Sequence, residues 1–332
     1  MADLRTTYLG LKLKNPIIAS SSGLTSSVEE IIELENAGAA AVVLKSIFEE
    51  EIVTEMETNL KKMASSRFVY PESLEYYEDH EEENICNKYL DLIKNSKAVV
   101  KIPVIASINC VTSDYWTYFP KLIEQAGADA LEINIFILPS DITRNRLANE
   151  KVYFDIIDKV VNQVKIPIAL KLSYYFSDLA LTLHKIAQTP VSGLVLFNKY
   201  FNPDFDLETF EVTSGKILSS PDDFHTTLRW IAIMAGRVNC SLAASTGIHD
   251  GATAVKQILA GADAVQVAST LYQNGLGEID KMLEFMDSWM TKKNFNSIED
   301  FKGKMSQLAS DNPAAYERVQ FMRYFRSYKV QK

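Results

Sequence analysis

The stretch Ala126-Gly127-Ala128-Asp129-Ala130-Leu131-Glu132-Ile133-Asn134 closes one kind of backbone and opens another. Gly127 can end a helix by entering the left-handed region, and the run from Ala130 to Asn134 is apolar enough to be covered on both faces. The unit recurs as Ala37-Gly38-Ala39 before Val42-Val43-Leu44-Lys45, and as Ala260-Gly261-Ala262-Asp263 before Val265-Gln266-Val267. A helix that repeatedly feeds a buried strand builds a parallel sheet.

Outward from this unit, Lys101-Ile102-Pro103 and Lys165-Ile166-Pro167 each precede another apolar run, with proline tolerated where a strand begins. Strands are expected at 17–20, 41–44, 104–108, 130–134, 168–172, 193–197, 241–244 and 264–267. Eight strands with helices between them predict an α/β chain folded as a (β/α)8 TIM barrel, one domain over 1–332. Two segments interrupt the cadence. One, 47–83, follows the second strand and ends in the acidic run 72–83, read as a solvated helix start. The other, 201–222, follows the sixth strand and holds a strand candidate at 209–218. Insertions after strands belong to the catalytic mouth, where they can act as a lid. A closing helix is expected at 277–292. A C-terminal extension of two helices follows, one capped by Ser297 and one by Asn312 with Pro313 at its first position. Its aromatic residues Tyr316, Phe321, Tyr324, Phe325 and Tyr328 are expected to pack on the barrel or on a second subunit.

A chain of 332 residues that is 47% hydrophobic can bury a large core. Its net charge of -9 argues against a broad nucleic-acid surface and leaves small molecules and proteins as partners. The first residues have no leader pattern and no stretch has membrane-spanning length, so a cytoplasmic protein without membrane contact is expected. Cys86, Cys110 and Cys240 are widely spaced with no CxxC, which suggests small buried residues, neither disulfides nor a metal site.

Polar residues at the C-terminal ends of barrel strands point into the mouth. Here they are Ser20, Lys45, Asn109, Asn134, Lys171, Asn198 and Thr246-Gly247. Amides and lysines around one cavity suit a planar ligand rich in carbonyl and imide edges. The last two strands add Ala243-Ala244-Ser245-Thr246-Gly247 and Val267-Ala268-Ser269-Thr270, whose loops fit a phosphate carried by a flavin, a sugar or pyridoxal. His80, His184, His225 and His249 are read as surface or capping residues.

These residues resemble the dihydroorotate dehydrogenase family, from Leu9-Gly10 through Thr270, and the whole chain looks like a bacterial dihydroorotate dehydrogenase-like branch. The family's Asn-Pro and small-residue turn is matched by Asn15-Pro16-Ile17-Ile18-Ala19-Ser20-Ser21-Ser22-Gly23, and its Thr-Lys-Ser by Leu44-Lys45-Ser46. Its Lys-Leu-Pro-Pro-Tyr-Phe-Asp is matched by Lys171-Leu172-Ser173-Tyr174-Tyr175-Phe176-Ser177-Asp178. The resemblance implies FMN as cofactor, a homodimer, a place in pyrimidine biosynthesis and hydride transfer between a small planar substrate and flavin N5. It puts Ser20 and Ser21 along the ring, Lys45 between ring and substrate, Lys171 beside N1 and the C2 carbonyl, and Asn134 and Asn198 on the substrate. Ser46, Asn109 and Phe197 join the cofactor contacts. Thr246, Gly247, Ala268 and Ser269 fall on the phosphate loops, with Ala268 in place of a usual glycine.

The resemblance breaks where the family has Asn-(apolar)-Ser-Cys-Pro-Asn, whose Cys, or Ser in its place, is the base that removes the substrate proton. This chain has Asn134-Ile135-Phe136-Ile137-Leu138-Pro139-Ser140, so the base position holds Ile137 or Leu138. No counterpart of the family's substrate-binding Asn-Gly-Leu occurs in 47–83. A proton could instead be taken by Cys110, Ser140, Tyr174 or Tyr175. Phe136, Ile137 and Leu138 would line a pocket suited to a more apolar substrate. Three readings follow in order: an FMN oxidoreductase with an unidentified electron acceptor, a phosphate-binding aldolase or isomerase with Lys171 as its reactive amine, and a flavin-binding protein without catalysis.

Overall fold

The computed structural model describes residues 2–52, 85–110, 118–200 and 202–317. Its centre is a closed barrel of eight parallel strands: β3 (Ile17–Ala19), β4 (Ala41–Val43), β6 (Val104–Cys110), β7 (Ala130–Ile135), β8 (Ile168–Leu172), β9 (Gly193–Leu196), β12 (Ser241–Ser245) and β13 (Ala264–Val267). Neighbours pair in chain order, β13 pairs with β3, and β4 pairs with β6 through Val42↔Val104 and Val43↔Ile105. The expected strands are all present, with ends shifted by a residue or two. Helices Val28–Asn36, Ile85–Val99, Phe119–Gln125, Arg146–Val161, Leu179–Ala187, Phe224–Met234 and Gly251–Ala260 separate successive strands, and Glu278–Lys293 follows the last.

Alternation along each strand divides the core in two. Ile18, Ala41, Val43, Ile105, Ala130, Ala169, Val195, Ala243 and Ala264 face inward and form the barrel's own interior. Their neighbours Ile17, Val42, Val104, Leu131, Ile168, Leu194, Leu242 and Val265 face the helices. A hairpin not foreseen in the sequence, β1 (Thr6–Tyr8) with β2 (Leu11–Leu13), plugs the bottom with Tyr8, Leu9 and Leu13. Leu9 at φ 53 and Gly10 at φ 77 give the turn the left-handed pair that a two-residue hairpin needs. A Cβ on Gly193 would come within 2.4 Å of Leu9 Cδ2 and 3.2 Å of Ser241 O, so a larger residue there would push the Leu9 side chain of the plug aside. With the bottom filled, ligands have access from the C-terminal mouth.

Of the first insertion, Ile47–Phe48 forms β5, pairing with β6 at Ile108 and Asn109. The acidic run 72–83 and His80 lie outside the described residues. The second insertion is an exposed hairpin, β10 (Pro203–Phe205) against β11 (Val212–Ser214), placing a strand within the 209–218 candidate.

The first expected tail helix is absent. Ser297 caps a single 3-10 turn, Ile298–Asp300, and the backbone beyond is spent on other elements. Gly303 N–H donates to Ile258 O at 3.0 Å, Met305 N–H to Leu259 O at 2.8 Å and Gln307 N–H to Ala232 O at 2.8 Å. These bonds satisfy carbonyls at the ends of two barrel helices, which outweighs local helix formation here. Ala314–Glu317 begins after Pro313 as expected, and Tyr316 packs on the core. Phe321, Tyr324, Phe325 and Tyr328 lie outside the described residues. No helix among the described residues is long and apolar enough to cross a membrane.

Candidate active site

Above the apolar interior layer the inward positions turn polar. Ser107, Glu132, Lys171, Ser245 and Gln266 occupy them on five strands, and Ser20 follows β3. All six are buried. Lys171 Nζ lies 3.0 Å from Ser20 Oγ, 3.2 Å from Glu132 Oε1 and 2.9 Å from Gln266 Oε1. Gln266 Nε2 donates to Glu132 Oε2 at 2.6 Å, and Ser20 Oγ donates to Gln266 Oε1 at 3.1 Å. These five bonds fix the amide orientation of Gln266 and hold Lys171 beneath the mouth. Such a set is tolerable in a core because each polar group has a partner.

Lys171 opens onto a cavity of about 590 Å³. Ser20, Ser21, Asn198, Thr246, Gly247, Ala268 and Ser269 line it with Lys171, bringing together most of the residues singled out from the sequence. Thr246 and Gly247 both have φ 77, and a Cβ on Gly247 would come 2.2 Å from Phe224 N. The loop after β12 is therefore pressed backbone to backbone onto the start of Phe224–Met234.

Other expected residues sit behind this lining. Asn134 accepts from Asn198 Nδ2 at 3.1 Å, Ser46 joins Ser21 at 3.1 Å to Ser107 at 2.7 Å, and Phe197 O takes the Thr246 hydroxyl at 2.9 Å. Asn109 is half-buried opposite Asn134. Lys45 is exposed and does not line the cavity. The expectation that every strand-end residue faces one cavity thus fails at Lys45, Asn109 and Asn134.

The candidate bases separate clearly. Cys110 points outward into the helix-facing core, where burial and then the Glu49 carboxylate hold its thiol far above the usual range. Ser140 is exposed on the loop beyond Pro139. Tyr174 and Tyr175 remain at the mouth, with ring centroids 4.8 Å apart, and Tyr174 meets Phe197 edge-on at 5.7 Å. Burial, followed by the hydrogen bond to Tyr175, raises the Tyr174 pKa. Phe136 stacks on Tyr200 at 3.6 Å, Ile137 N–H donates to Tyr153 OH at 3.3 Å, and Leu138 is half exposed. The three were expected to line one pocket; Ile137 instead helps line a second cavity of about 450 Å³, with Arg144, Arg146, Glu150 and Tyr175.

Several residues of the site escaped sequence reasoning. Glu132, Gln266 and Ser107 were hidden inside apolar runs, although a period of two counted from Asn134, Ala264 and Asn109 would have placed them inside the barrel. Ser219, Lys199 and Tyr272 line the cavity without any motif. His249, read as a surface or capping residue, is buried with Nε2 3.1 Å from Ser219 Oγ, and its carbonyl accepts the Thr270 hydroxyl at 3.1 Å. His184 and His225 are exposed as expected. Cys86 and Cys240 are half-buried, not buried. No group of three or more His, Cys, Asp or Glu among the described residues is placed to hold a metal ion.

The family profile described as dihydroorotate dehydrogenase matches residues 3–290. The chain belongs to the dihydroorotate dehydrogenase family. It is an oxidoreductase of the CH–CH type, in a family that is generally flavin-dependent. Among its relatives is the "Dihydroorotate dehydrogenase B (NAD(+)), catalytic subunit" of Thermoplasma acidophilum, 27% identical over 91% of this chain and 99% of that protein. The chloroplastic "Dihydropyrimidine dehydrogenase (NADP(+))" of Arabidopsis thaliana is 21% identical over 92% of this chain and 77% of that one. A solved dihydroorotate dehydrogenase from Eimeria tenella, in complex with ferulenol, shares the fold with a TM-score of 0.64 at 15% identity, covering 91% of this chain and 88% of that one.

Proposed function

We propose that the chain uses FMN to exchange a hydride with a small planar substrate, dihydroorotate or a close relation. The observation that carries this reading is the buried Lys171 ammonium, held by Glu132, Gln266 and Ser20 and opening onto a polar cavity. Tested against the residues present, the cofactor fits. The cavity volume of about 590 Å³ lies within the roughly 300–1,000 Å³ typical of small-molecule sites. Asn198 offers an amide donor and Lys171 a positive charge to ring carbonyls at one end, and the loops carrying Thr246-Gly247 and Ser269 form a cradle for an anion at the other.

When bound, FMN would supply a hydride acceptor. Lys171 would place positive charge where negative charge grows, and Ser20 and Ser21 would hold the ring. The Asn134–Asn198 pair would present amide edges to the substrate. With Ile137 and Leu138 unable to accept a proton, Tyr174 and Tyr175 are the proton carriers placed at the mouth. A tyrosine whose pKa is raised keeps its proton, so Tyr174 would not take the proton that a substrate loses as it passes a hydride to the flavin; it would serve the reverse direction, giving a proton to a substrate carbon while reduced flavin gives the hydride. The protein is read as cytoplasmic and homodimeric, passing its electrons to an acceptor outside the chain; the NAD(+)-linked names of its relatives support such an acceptor.

The test is the visible spectrum of the purified protein, recorded anaerobically as dihydroorotate is added. A flavin band that bleaches roughly 10²–10⁴ times more slowly than in enzymes carrying the Cys or Ser base is the expected result. A chain that neither carries nor takes up FMN would overturn the reading.

A further inference from the structure

The second cavity, of about 450 Å³, has no lining residue in common with the cavity above Lys171. Its walls come from the loop after β7, the start of the helix Arg146–Val161 and the loop after β8. Arg146, Asn149, Glu150 and Tyr153 stand at i, i+3, i+4 and i+7, so a single helical face lines it. Tyr153, Tyr174, Tyr175 and Phe176 supply flat aromatic surface, and Arg144, Arg146 and Glu150 supply charge.

Glu150 is the group that the fold leaves incomplete. Its side chain is 9% exposed, and its Oε1 is buried without a hydrogen bond. Arg146 Nε comes within 3.4 Å of that oxygen but aims no hydrogen at it. The guanidinium is directed instead to Asp178, with Nη1 2.8 Å from Oδ2. A buried carboxylate oxygen without a donor is costly, and the cost is relieved when a donor arrives. Burial, followed by the Asp178 carboxylate, raises the Glu150 pKa, the direction expected of a carboxyl short of donors.

Arg144 is incomplete in the opposite sense. Its side chain donates to the Ala148 carbonyl at 3.3 Å, and among the described residues no carboxylate lies within ion-pair distance of it. Asp141, the nearby acid whose charge feels Arg144, is already held by the Thr143 N–H at 2.8 Å and the Thr143 hydroxyl at 2.7 Å. One unmet acceptor and one unmet cation therefore share a cavity walled by aromatic rings. We propose that this cavity is a second small-molecule site, which takes a flat carboxylic acid carrying an N–H donor. The carboxylate pairs with Arg144, the N–H meets Glu150 Oε1, and the ring lies against the tyrosines. The inference is independent of the flavin reading. Tyr174 and Tyr175 form part of the wall, so an occupant bears directly on the residues at the proton-transfer end of the mouth.

The test measures binding of para-aminobenzoate, benzoate and para-aminobenzamide to the full chain by ligand-detected NMR. The first carries both groups, the second lacks the N–H donor and the third lacks the charge. Para-aminobenzoate should bind at least about tenfold more tightly than either of the others, and equally well when FMN is present. Arg144→Gln should erase the advantage over para-aminobenzamide, and Glu150→Met the advantage over benzoate. Glu150→Gln, which keeps an oxygen acceptor, should retain most of the latter. Should Glu150→Met fail to fold, Arg144→Gln, at an exposed residue, decides alone. An advantage that survives Arg144→Gln unchanged would overturn the proposal. Displacement of the probe by FMN would also overturn it, by placing the probe in the other cavity, and would leave the flavin reading standing. Failure of all three probes to bind the unaltered chain would overturn the proposal whatever the flavin experiment shows.

Discussion

Lys171 Nζ and Glu132 Oε1 meet 3.2 Å apart on adjacent barrel strands, with 6% and 1% of their side chains exposed. Burying two charges costs desolvation, so such a pair is tolerated when it is complete and costly when broken. Glu132→Leu, which leaves the ammonium without its carboxylate, should destabilise the barrel by about 3–5 kcal/mol. The double variant Glu132→Leu with Lys171→Met removes both charges and should recover much of that loss. Urea unfolding of the unaltered chain, of Glu132→Leu and Lys171→Met singly, and of the double variant checks this; a double variant as unstable as the sum of the singles would show that the two side chains are not coupled.

Removing the Lys171 charge should reach the chemistry. Lys171→Gln keeps length and polarity but gives no cation to the developing negative charge. Loss of one preorganised electrostatic group in a water-poor site commonly slows the chemical step by about 10²–10³. Anaerobic stopped-flow reduction of the bound flavin measures it directly, and a change below about threefold would remove Lys171 from the mechanism.

The barrel was legible in the sequence because Ala-Gly-Ala units and Lys-Ile-Pro starts mark where helix becomes strand, and local signals of that kind survive folding. The polar layer was half legible. Lys171 and Asn134 stand at strand ends where attention falls, while Glu132 and Gln266 lie between apolar neighbours and declare themselves only when the strand is read with period two. His249 and Ser219 were illegible, since their meeting depends on a contact between segments 30 residues apart. The missing tail helix shows the opposite failure: Gly303 and Met305 carry their N–H groups to carbonyls of another helix, a tertiary claim on the backbone that no local pattern records.

The loop after β7 gives a gain-of-function experiment. Leu138 is half exposed at the mouth, whereas Ile137 packs on the helix-facing core. A thiol introduced by Leu138→Cys has room to reach substrate and should accelerate bleaching by dihydroorotate by about 10² or more. Ile137→Cys should lose packing without acceleration. If the Ile137 variant is the faster one, the loop reorganises around substrate before proton transfer.

Gly247→Ala tests the cradle. The added Cβ would meet Phe224 N at 2.2 Å and would also hold alanine at φ 77, so strain and collision act together. Flavin retention through gel filtration should fall at least about tenfold relative to the unaltered chain, with a lowered melting temperature. An unchanged melting temperature and full retention would show that the loop yields without cost.

Asp223 connects the cradle to acid stability. Burial works to raise its pKa, but the Ser220 N–H and the Lys199 ammonium outweigh it, so the folded carboxyl titrates below its ordinary 3.8. The folded chain therefore binds fewer protons here than the unfolded one. The stabilisation is fully present above pH 3.8 and is lost as pH falls through the folded value. Because 35% of the Asp223 side chain is exposed, solvent screening keeps the effect small. Asp223→Asn should accordingly melt slightly below the unaltered protein at pH 7, and the two melting curves should converge as pH drops below the ordinary 3.8 and through the folded value. The same substitution releases Lys199, which lines the cavity, so the variant should also bind FMN with altered salt dependence. A melting gap that stays constant across the acid range would mean that the Asp223 contribution lies in packing and not in its charge.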